Sequence, residues 1–428
     1  MLSWQETHYQ WKKSFASYIK HTLGYEPCVG SDNNVYLKAM KDKDGNEYYS
    51  YLVVYVDDVL CIHKDPDEVL GIINRDYALK EPPSAPDMYL GADFAKFEIF
   101  DEETNTVINT WSMSADSHIK KALEVVQARM IRDNVRFKSK KTAESPFTSQ
   151  DYRPELDTSE PCNEDQVEFF QSLVGIARWL CELGRVDVLT ETSLLSTCLA
   201  NPRTGHLHQA LHMFKYLKYH NSSKIVFDPR YANVTDDHLP REQQADYKAM
   251  YMKELYPDAV EDIPKNAPKP LGRPVQISVF VDADHAGDKI TRRSRTGILL
   301  YLNKAPILWY SKRQNTVETS TFGSEFVAMR LSFEMIKSMK YKLQMFGIPI
   351  EGPARVYGDN NAVILNSSSP ESTLKKKHHS INYHYVRECV AAGIGLIFKV
   401  DTGSNLADLF TKVLDKVKRK KFVKMILR

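Results

Sequence analysis

The sequence lacks the features of a membrane-spanning, secreted or zinc-stabilised protein. No segment contains about 18 uncharged apolar residues in a row, and the N-terminal residues MLSWQETHYQWKKSF include no apolar signal core. The 6 cysteines are scattered, without a Cys-x-x-Cys pair and without histidines at zinc-ligand spacing. These absences argue against a transmembrane helix and a structural zinc, and they predict a soluble protein in a reducing compartment.

Charge of one sign is also scarce, because the formal net charge is only +2. A net charge this small indicates little about binding partners, so any basic surface must be local. From residue 416 onward the basic residues are accompanied by no acidic ones: Lys416, Lys418, Arg419, Lys420, Lys421, Lys424 and Arg428. This stretch fits a solvated helical tail and a phosphate-binding arm equally well.

The length of 428 residues is enough for two or three domains. The best boundary lies at residues 228–274, which are polar and rich in proline. After it, apolar runs and helical patterns follow in the order βββαβαβ, which predicts a mixed sheet flanked by helices. Before it, strand-like runs precede two strongly helical stretches. The sequence thus predicts an α/β (α+β) fold.

Two acids stand side by side in the apolar stretch YYSYLVVYVDDVLCIHK, residues 48–64. The flanking runs YLVVY and VLCIH predict two short β-strands, with Asp57 and Asp58 at the tight turn between them. Adjacent carboxylates in an apolar setting repel each other and lose hydration. A divalent metal is the usual compensation, so we predict a metal-binding role for both acids.

Four acids beyond the boundary stand at the ends of predicted strands or near the starts of predicted helices: Asp282, Glu325, Asp359 and Asp408. Each of them alone is more often structural, a helix cap or solvent-exposed than functional. Together, four carboxylates from four elements could converge on two hard cations. Two such ions cleave a phosphodiester by activating a water and stabilising the leaving oxygen.

A further acid, Asp284, forms an Asp-x-Asp pair with Asp282 and so raises the alternative of an aspartyl-phosphate phosphatase. That chemistry requires Thr or Val after the second acid and a lysine partner, whereas His285 follows here. We therefore predict a supporting or structural role for Asp284.

The stretch YVDD resembles the polymerase signature of reverse transcriptases, and the later motifs resemble the C-terminal part of a copia-type retrotransposon Pol polyprotein. The matching segments occur in the family's order at residues 280–288, 295–297, 309–314, 319–326, 358–360, 377–384 and 405–412. The segments YLGAD, SLVGIARWLCELGRVDV and ALHMFKYLKYH are similar to the family's thumb and connection regions. The resemblance covers nearly the whole chain, and the ordered set of motifs is very specific.

The resemblance implies an RNase H-like βββαβαβα domain with a mixed sheet, preceded by a partial polymerase palm hairpin and a helical thumb and connection. In this family such a domain cuts the RNA strand of an RNA–DNA hybrid with two Mg²⁺ ions, and Mn²⁺ is an alternative. Asp282 would bridge both ions, and Asp408 would complete the ion on the nucleophile side. Glu325 and Asp359 would hold the other ion.

Basic residues between the first strands of this domain are candidates for contacts to nucleic-acid phosphates. They are Arg292, Arg293, Arg295, Lys312 and Arg313. For each one a solvated surface position is an equally good interpretation, and the same choice applies to the basic segment 375–379.

The resemblance divides the chain into five segments. These are a partial reverse transcriptase at 1–145, a helical connection at 146–227, a linker at 228–274, an RNase H-like domain at 275–414 and a basic tail at 415–428. The implied partners are an RNA–DNA hybrid, a single-stranded template, and the Gag and integrase proteins of the element, without a membrane. The implied location is the cytoplasm, in virus-like particles, with the nucleus as a second location.

Two other functions stay open at this point. A folded but catalytically silent retroelement remnant that binds nucleic acid would carry the same motifs. A different two-metal nuclease or phosphatase could use a similar sheet. Cleavage of a hybrid separates the favoured function from the first alternative, and substrate choice separates it from the second.

We expect no independent polymerisation from this chain. Polymerase catalysis in the family requires a third aspartate on a strand well upstream of YVDD, and none of the acids before Asp57 ends an apolar strand. Asp32 lies in the loop-like segment GSDNN, and Asp42 and Asp44 lie in a predicted turn. Nucleotide incorporation on a primed RNA template is the measurement, and steady incorporation that Asp57→Asn abolishes would contradict the expectation.

Overall fold

The computed structural model describes residues 4–56, 58–77, 79, 81–133, 143–231, 252–369, 371–374 and 379–428, without the side chains of residues 4–9. Asp57 and the basic residues 375–378 lie outside the described residues. The chain forms two compact units. The first comprises Met1–Pro86, Asp262–Val275 and Met335–Gly352, and the second comprises Asp87–Glu261, Gln276–Glu334 and Pro353–Arg428.

The α-helices are α1 Trp4–His21, α2 Pro66–Asp76, α3 Asp116–Arg132, α4 Glu164–Glu182, α5 Leu189–Leu195, α6 Thr204–Tyr219, α7 Thr321–Met345, α8 Asn361–Ser368, α9 Ser380–Ala391 and α10 Lys416–Ile426. The strands are β1 Glu26–Cys28, β2 Asp32–Lys41, β3 Glu47–Tyr55, β4 Asp58–Ile62, β5 Met88–Tyr89, β6 Ala92–Asp101, β7 Thr106–Ser114, β8 Lys224–Val226, β9 Ile277–Asp284, β10 Arg295–Leu302, β11 Ala305–Arg313, β12 Ala354–Gly358 and β13 Gly395–Lys399. Short 3₁₀ helices include Val186–Val188 and Leu406–Phe410. Within the described part of the chain, no helix is both long and apolar enough to cross a bilayer.

The first unit contains an antiparallel sheet in the order β1-β2-β3-β4. Its predicted Asp44-Gly45 turn joins β2 to β3, with Gly45 at φ +84°, a conformation that glycine adopts without a steric penalty. The two strands predicted on either side of Asp57 and Asp58 also pair, with Tyr55 opposite Asp58 across β3 and β4. Asp58 begins β4 as an exposed side chain.

The helical part of the second unit packs α3, α4 and α6 around a buried apolar cluster that includes Phe170, Leu173 and Phe214. Helix α3 begins without a side-chain cap, since its N-cap is Ala115, which has no side chain able to accept a hydrogen bond. The carboxylate of Asp93 on β6 instead accepts the Ser117 backbone N–H at 2.8 Å. A partner distant in the sequence therefore replaces the local cap.

The second sheet of this unit is mixed, in the order β11-β10-β9-β12-β13. Strands β9, β10 and β11 pair antiparallel, whereas β12 pairs parallel with both β9 and β13. Three antiparallel strands precede α7, with residues 285–294 connecting β9 to β10 and a short turn connecting β10 to β11. Crossovers through helices follow, which confirms the predicted βββαβαβ order and the α/β (α+β) class. The predicted last helix is interrupted, because the 3₁₀ helix Leu406–Phe410 and α10 are separate elements.

The compact units divide the chain differently from the five predicted segments. Residues from the predicted thumb, the connection and the RNase H-like domain all belong to the second unit, and Asp262–Val275 of the predicted linker belong to the first. The five predicted segments are consecutive in the chain, because the resemblance to the family defined them. Their boundaries stay a prediction. The predicted basic tail forms the helix α10, which buries Phe422 and Ile426.

A buried ionic network links α10 to the helical part of the second unit. Arg185 forms a bidentate pair with Asp187, at 2.9 and 2.8 Å, and Tyr216 donates to the same carboxylate at 2.9 Å. Arg419 donates to a Glu191 carboxylate oxygen at 2.7 Å and to the backbone carbonyl of Asp187. Burial alone would raise the pKa of Asp187, but the Arg185 guanidinium outweighs it and holds this pKa below its usual range. The network therefore keeps charged groups inside the unit by pairing them.

Removing Arg419 should strongly destabilise the second unit. In Arg419→Met the Glu191 carboxylate stays buried without its counter-charge, so we expect a loss of about 3–5 kcal/mol in the free energy of unfolding. Urea unfolding followed by circular dichroism measures this loss. The matched control is Lys421→Met on the exposed side of the same helix, with an expected change within about 0.5 kcal/mol. Equal effects of the two substitutions would contradict a stabilising role for the network.

Candidate active site

Asp282 lies in the centre of the mixed sheet, on β9, with only 1% of its surface exposed. The apolar run that forms β9 places this carboxylate among buried side chains, where an isolated charge is costly. Opposite it in the ladder stands Gly297 on β10. Asp282 is buried on an apolar strand, but it does not end that strand as predicted, because β9 continues to Asp284.

Glu325 lies in the second turn of α7, whose start is tied to the sheet by a buried glutamine. Gln314 at the end of β11 donates to Thr296 Oγ1 at 3.0 Å and to the Ser324 carbonyl at 2.9 Å. The Glu325 carboxylate accepts the backbone N–H of Ala283. Burial raises the pKa of Glu325 well above its usual value, and the carboxylates of Asp282 and Asp359 add to the rise.

Asp359 follows directly after β12 and completes a group of three acids. Carboxylate oxygens of Asp282, Glu325 and Asp359 all lie within 4.8 Å of one another. Oxygens bound to one Mg²⁺ at about 2.1 Å lie within about 4.2 Å of each other, so small side-chain rotations would close these three on one ion. An all-oxygen donor set is also what a hard divalent cation prefers. The three acids therefore fit one such ion.

Asp408 lies beside this group on the 3₁₀ helix Leu406–Phe410 rather than at the start of the last α-helix. Asn405 caps the 3₁₀ helix by accepting the Ala407 N–H at 3.1 Å, and it donates to the Val281 carbonyl of β9 at 2.9 Å. The close approach to β10 depends on Gly297, because a Cβ there would lie 2.7 Å from the Ala407 carbonyl oxygen. A glycine in the predicted Arg-Thr-Gly motif thus makes room for the segment that carries Asp408.

Two lysines hold Asp408. The Lys412 ammonium lies 2.7 Å from Asp408 Oδ1 and 3.3 Å from Asp282 Oδ2, so it bridges the two buried carboxylates. Lys418, in the first turn of α10, donates to Asp408 Oδ2. Thr411 donates its hydroxyl to Asp282 Oδ2.

The surroundings shift the pKa values of Asp282 and Asp408 in opposite directions. Burial raises the pKa of Asp282 to about 7, with the Lys412 ammonium opposing the rise and the Asp408 carboxylate adding to it. Burial also acts upward on Asp408, but Lys412 and Lys418 outweigh it and lower the pKa of Asp408 below its usual value. Asp408 is therefore the more strongly charged member of the pair.

The predicted second metal position, between Asp282 and Asp408, does not fit a divalent ion as the side chains stand. Both carboxylate oxygens of Asp408 already accept from lysines, and Lys412 contacts both acids. A divalent cation bound to both acids would have to displace Lys412 from its contacts with them. Of the four predicted ligands, the structure brings Asp282, Glu325 and Asp359 together for one ion and pairs Asp408 with amines.

The five predicted phosphate-contacting residues differ in their surroundings. Arg295 is buried and donates to Ser193 Oγ at 2.5 Å, so the prediction that it contacts phosphates is wrong. The reason is that β10 turns this side chain toward α5 instead of solvent. Arg313 donates to Asp288 Oδ2 at 2.5 Å. The others lie at the surface, with Arg292 and Lys312 exposed and Arg293 half-buried.

Asp284 contacts the neighbouring backbone, and its predicted supporting or structural role stays a prediction. Its carboxylate accepts the Arg295 backbone N–H at 2.7 Å, and it packs so closely on Gly287 that a Cβ there would lie 1.7 Å from Asp284 Oδ2. Lys412 and Lys418 are the site residues that sequence reasoning missed. The spacing of four residues from Asp408 to Lys412 was the available signal, since side chains at i and i+4 meet on a helical turn.

Comparison with known proteins finds relatives over most of the chain. It is 25% identical over 412 residues to the "Retrovirus-related Pol polyprotein from transposon TNT 1-94" of Nicotiana tabacum, covering 96% of this chain and 26% of that protein. It is 22% identical over 379 residues to the "Retrovirus-related Pol polyprotein from transposon RE1" of Arabidopsis thaliana, covering 88% of this chain and 21% of that protein. The chain thus spans about a quarter of the length of these curated relatives. No protein-family model matches it.

Among solved structures, RNase H1 from the halophilic archaeon Halobacterium salinarum NRC-1 is similar to part of the chain. The match has 13% identity and a TM-score of 0.26, and it covers 32% of this chain and 94% of that one. The relatives that match most of the chain are Pol polyproteins from transposons, the kind of protein that the ordered motifs predicted. These relatives confirm the predicted resemblance of the chain to copia-type retrovirus-related Pol polyproteins.

Proposed function

We propose that the second unit hydrolyses the RNA strand of RNA–DNA hybrids with the help of a divalent cation. The observation that carries the proposal is the convergence of three acids, Asp282, Glu325 and Asp359, from three separate elements of the mixed-sheet core. Asp282 is buried and the other two are half-buried, and carboxylates at such short distances destabilise a fold unless a cation compensates them. Mg²⁺ is the cation we assign, with Mn²⁺ as an alternative.

In this proposal the three acids hold the ion against the scissile phosphate. When bound, the ion supplies positive charge where the attacking and leaving oxygens of the phosphodiester develop negative charge. The elements that carry the acids are fixed by packing, so the reacting groups are positioned before substrate arrives. Thr411 and Lys412 hold Asp282 Oδ2 and thereby fix the orientation of its carboxylate. The sequence-based assignment of a second Mg²⁺ requires Lys412 to move away.

Substrate recognition would come from shape and phosphate contacts. RNA–DNA hybrids are distinguished by their 2′-hydroxyl groups and A-like grooves rather than by base sequence. The exposed Arg292 and Lys312 and the half-buried Arg293 are the candidates for these phosphate contacts. The single-stranded template, the Gag and integrase partners and the particle-associated location stay predictions for the longer polyprotein.

Replacing the metal-holding acids should abolish hybrid cleavage without unfolding the chain. We expect Asp282→Asn and Asp359→Asn each to lower the rate of Mg²⁺-dependent RNA cleavage by at least about 100-fold, because each removes a ligand charge. Gel analysis of a labelled RNA strand in a hybrid measures the rate. Asp401→Asn is the control, since this exposed acid follows β13 and lies outside the group.

Activity that survives both substitutions would refute the carboxylate assignment. No cleavage by the unmodified chain under any divalent cation would favour a silent nucleic-acid-binding remnant. Equal cleavage of duplex DNA or of small phosphoesters would favour a different metal-dependent nuclease or phosphatase.

Gly297→Ala should impair cleavage through the position of Asp408. The added Cβ would lie 2.7 Å from the Ala407 carbonyl and 2.9 Å from Phe410 Cβ, so the 3₁₀ helix must shift. A displacement of about 1 Å in a catalytic site costs about 100-fold, and we expect a loss of that order in kcat/KM for hybrid cleavage. Gly403→Ala is the matched control, because nothing lies within 4 Å of its added Cβ. Full activity of Gly297→Ala would contradict this role for the glycine.

A further inference from the structure

We infer that Lys412 is a built-in cation of the site, which occupies the place between Asp282 and Asp408 and limits the resting site to one divalent ion. The inference rests on the proposed function, since it concerns the same site. It differs from the two-ion arrangement expected from the sequence. Lys412 would be a positioning residue, because it acts through the two carboxylates it bridges.

The geometry of the ammonium supports this inference. Lys412 Nζ lies 2.7 Å from Asp408 Oδ1 and 3.3 Å from Asp282 Oδ2, and each of these two carboxylates has 1% of its side chain exposed. A buried carboxylate pair needs positive charge between its members, and Lys412 already supplies it. An ion entering the same place would meet both the ammonium charge and the occupied oxygens.

Lys418 contacts the same acid but occupies a different place. Its ammonium donates to Asp408 Oδ2 and to the Thr402 carbonyl at 3.1 Å. It therefore pairs with the far oxygen of Asp408, whereas Lys412 alone bridges toward Asp282 among the ion pairs of the described residues. The two lysines carry the same charge, so a comparison between them separates an effect of position from an effect of charge.

The group of three acids stays available to a divalent ion. No ion pair joins Glu325 or Asp359 to a basic side chain within the part of the chain that the structure describes. Their oxygens and one from Asp282 lie within 4.8 Å of one another. A single ion therefore has a place beside Lys412, and the site carries one metal charge and one lysine charge.

The test counts Mn²⁺ ions bound to the full chain without nucleic acid. Titration with MnCl₂, followed by the electron paramagnetic resonance signal of free Mn²⁺, gives the stoichiometry and the affinity. A Mn²⁺-binding site is counted only if the Asp282→Asn substitution abolishes it. This criterion excludes weak binding of Mn²⁺ elsewhere on the protein surface. Circular dichroism confirms that each variant is folded, and Lys412→Met serves as a second variant should Lys412→Gln fail to fold.

We expect one Mn²⁺ in the unmodified chain and two in Lys412→Gln. The second ion should bind at least about tenfold more tightly in the variant than in the unmodified chain, because a fixed positive charge has gone. Lys418→Gln should still bind one ion, since Lys412 stays in place. Adding Asp408→Asn to Lys412→Gln should return the count to one.

Two tight ions in the unmodified chain would overturn the inference, as would one ion in both Lys412 variants. A second ion in Lys418→Gln would overturn it too, because net charge rather than position would then decide the count. Hybrid cleavage is measured in parallel. Failure of cleavage with the expected counts would refute the proposed function alone, and cleavage with unexpected counts would refute this inference alone.

Discussion

The burial of two carboxylates side by side, Asp282 and Asp408, is the constraint on which the rest of the site depends. Two such charges repel each other and cannot be hydrated, so positive charge has to be brought to them. Lys412 and Lys418 provide it from the segment that carries Asp408. The acids can come together only because Gly297 leaves room for that segment against β10.

The same constraint explains why the C-terminal helix is part of the folded unit rather than a tail. Lys418 lies in the first turn of α10, so its contact with Asp408 requires α10 to lie against the sheet. Arg419, the next residue, points the other way into the buried network with Glu191 and the Asp187 carbonyl. Neighbouring residues of one helix thus connect the acid site on one side to the helical part of the unit on the other.

The sequence predicts the parts of this arrangement that depend on local pattern. Apolar strand patterns place Asp282 on β9 and Asp359 just after β12, and the βββαβαβ order predicts the sheet that brings them near Glu325. Contacts between distant segments decide the rest. Arg295 is as basic as Arg292, yet packing against Ser193 buries it, and no local pattern distinguishes the two. The compact units likewise combine segments far apart in the chain, which composition and proline content do not reveal.

Distance along the chain also decides which acids need an external cation. Asp408 receives its counter-charges from residues four and ten positions later, so it is neutralised as its own segment folds. Glu325 and Asp359 come from segments that bring no basic partner to them in the described part of the chain. In the proposed function an ion from solution would compensate their repulsion. The unequal supply of lysines thus leaves one side of the site for the proposed metal and makes the other side a salt bridge.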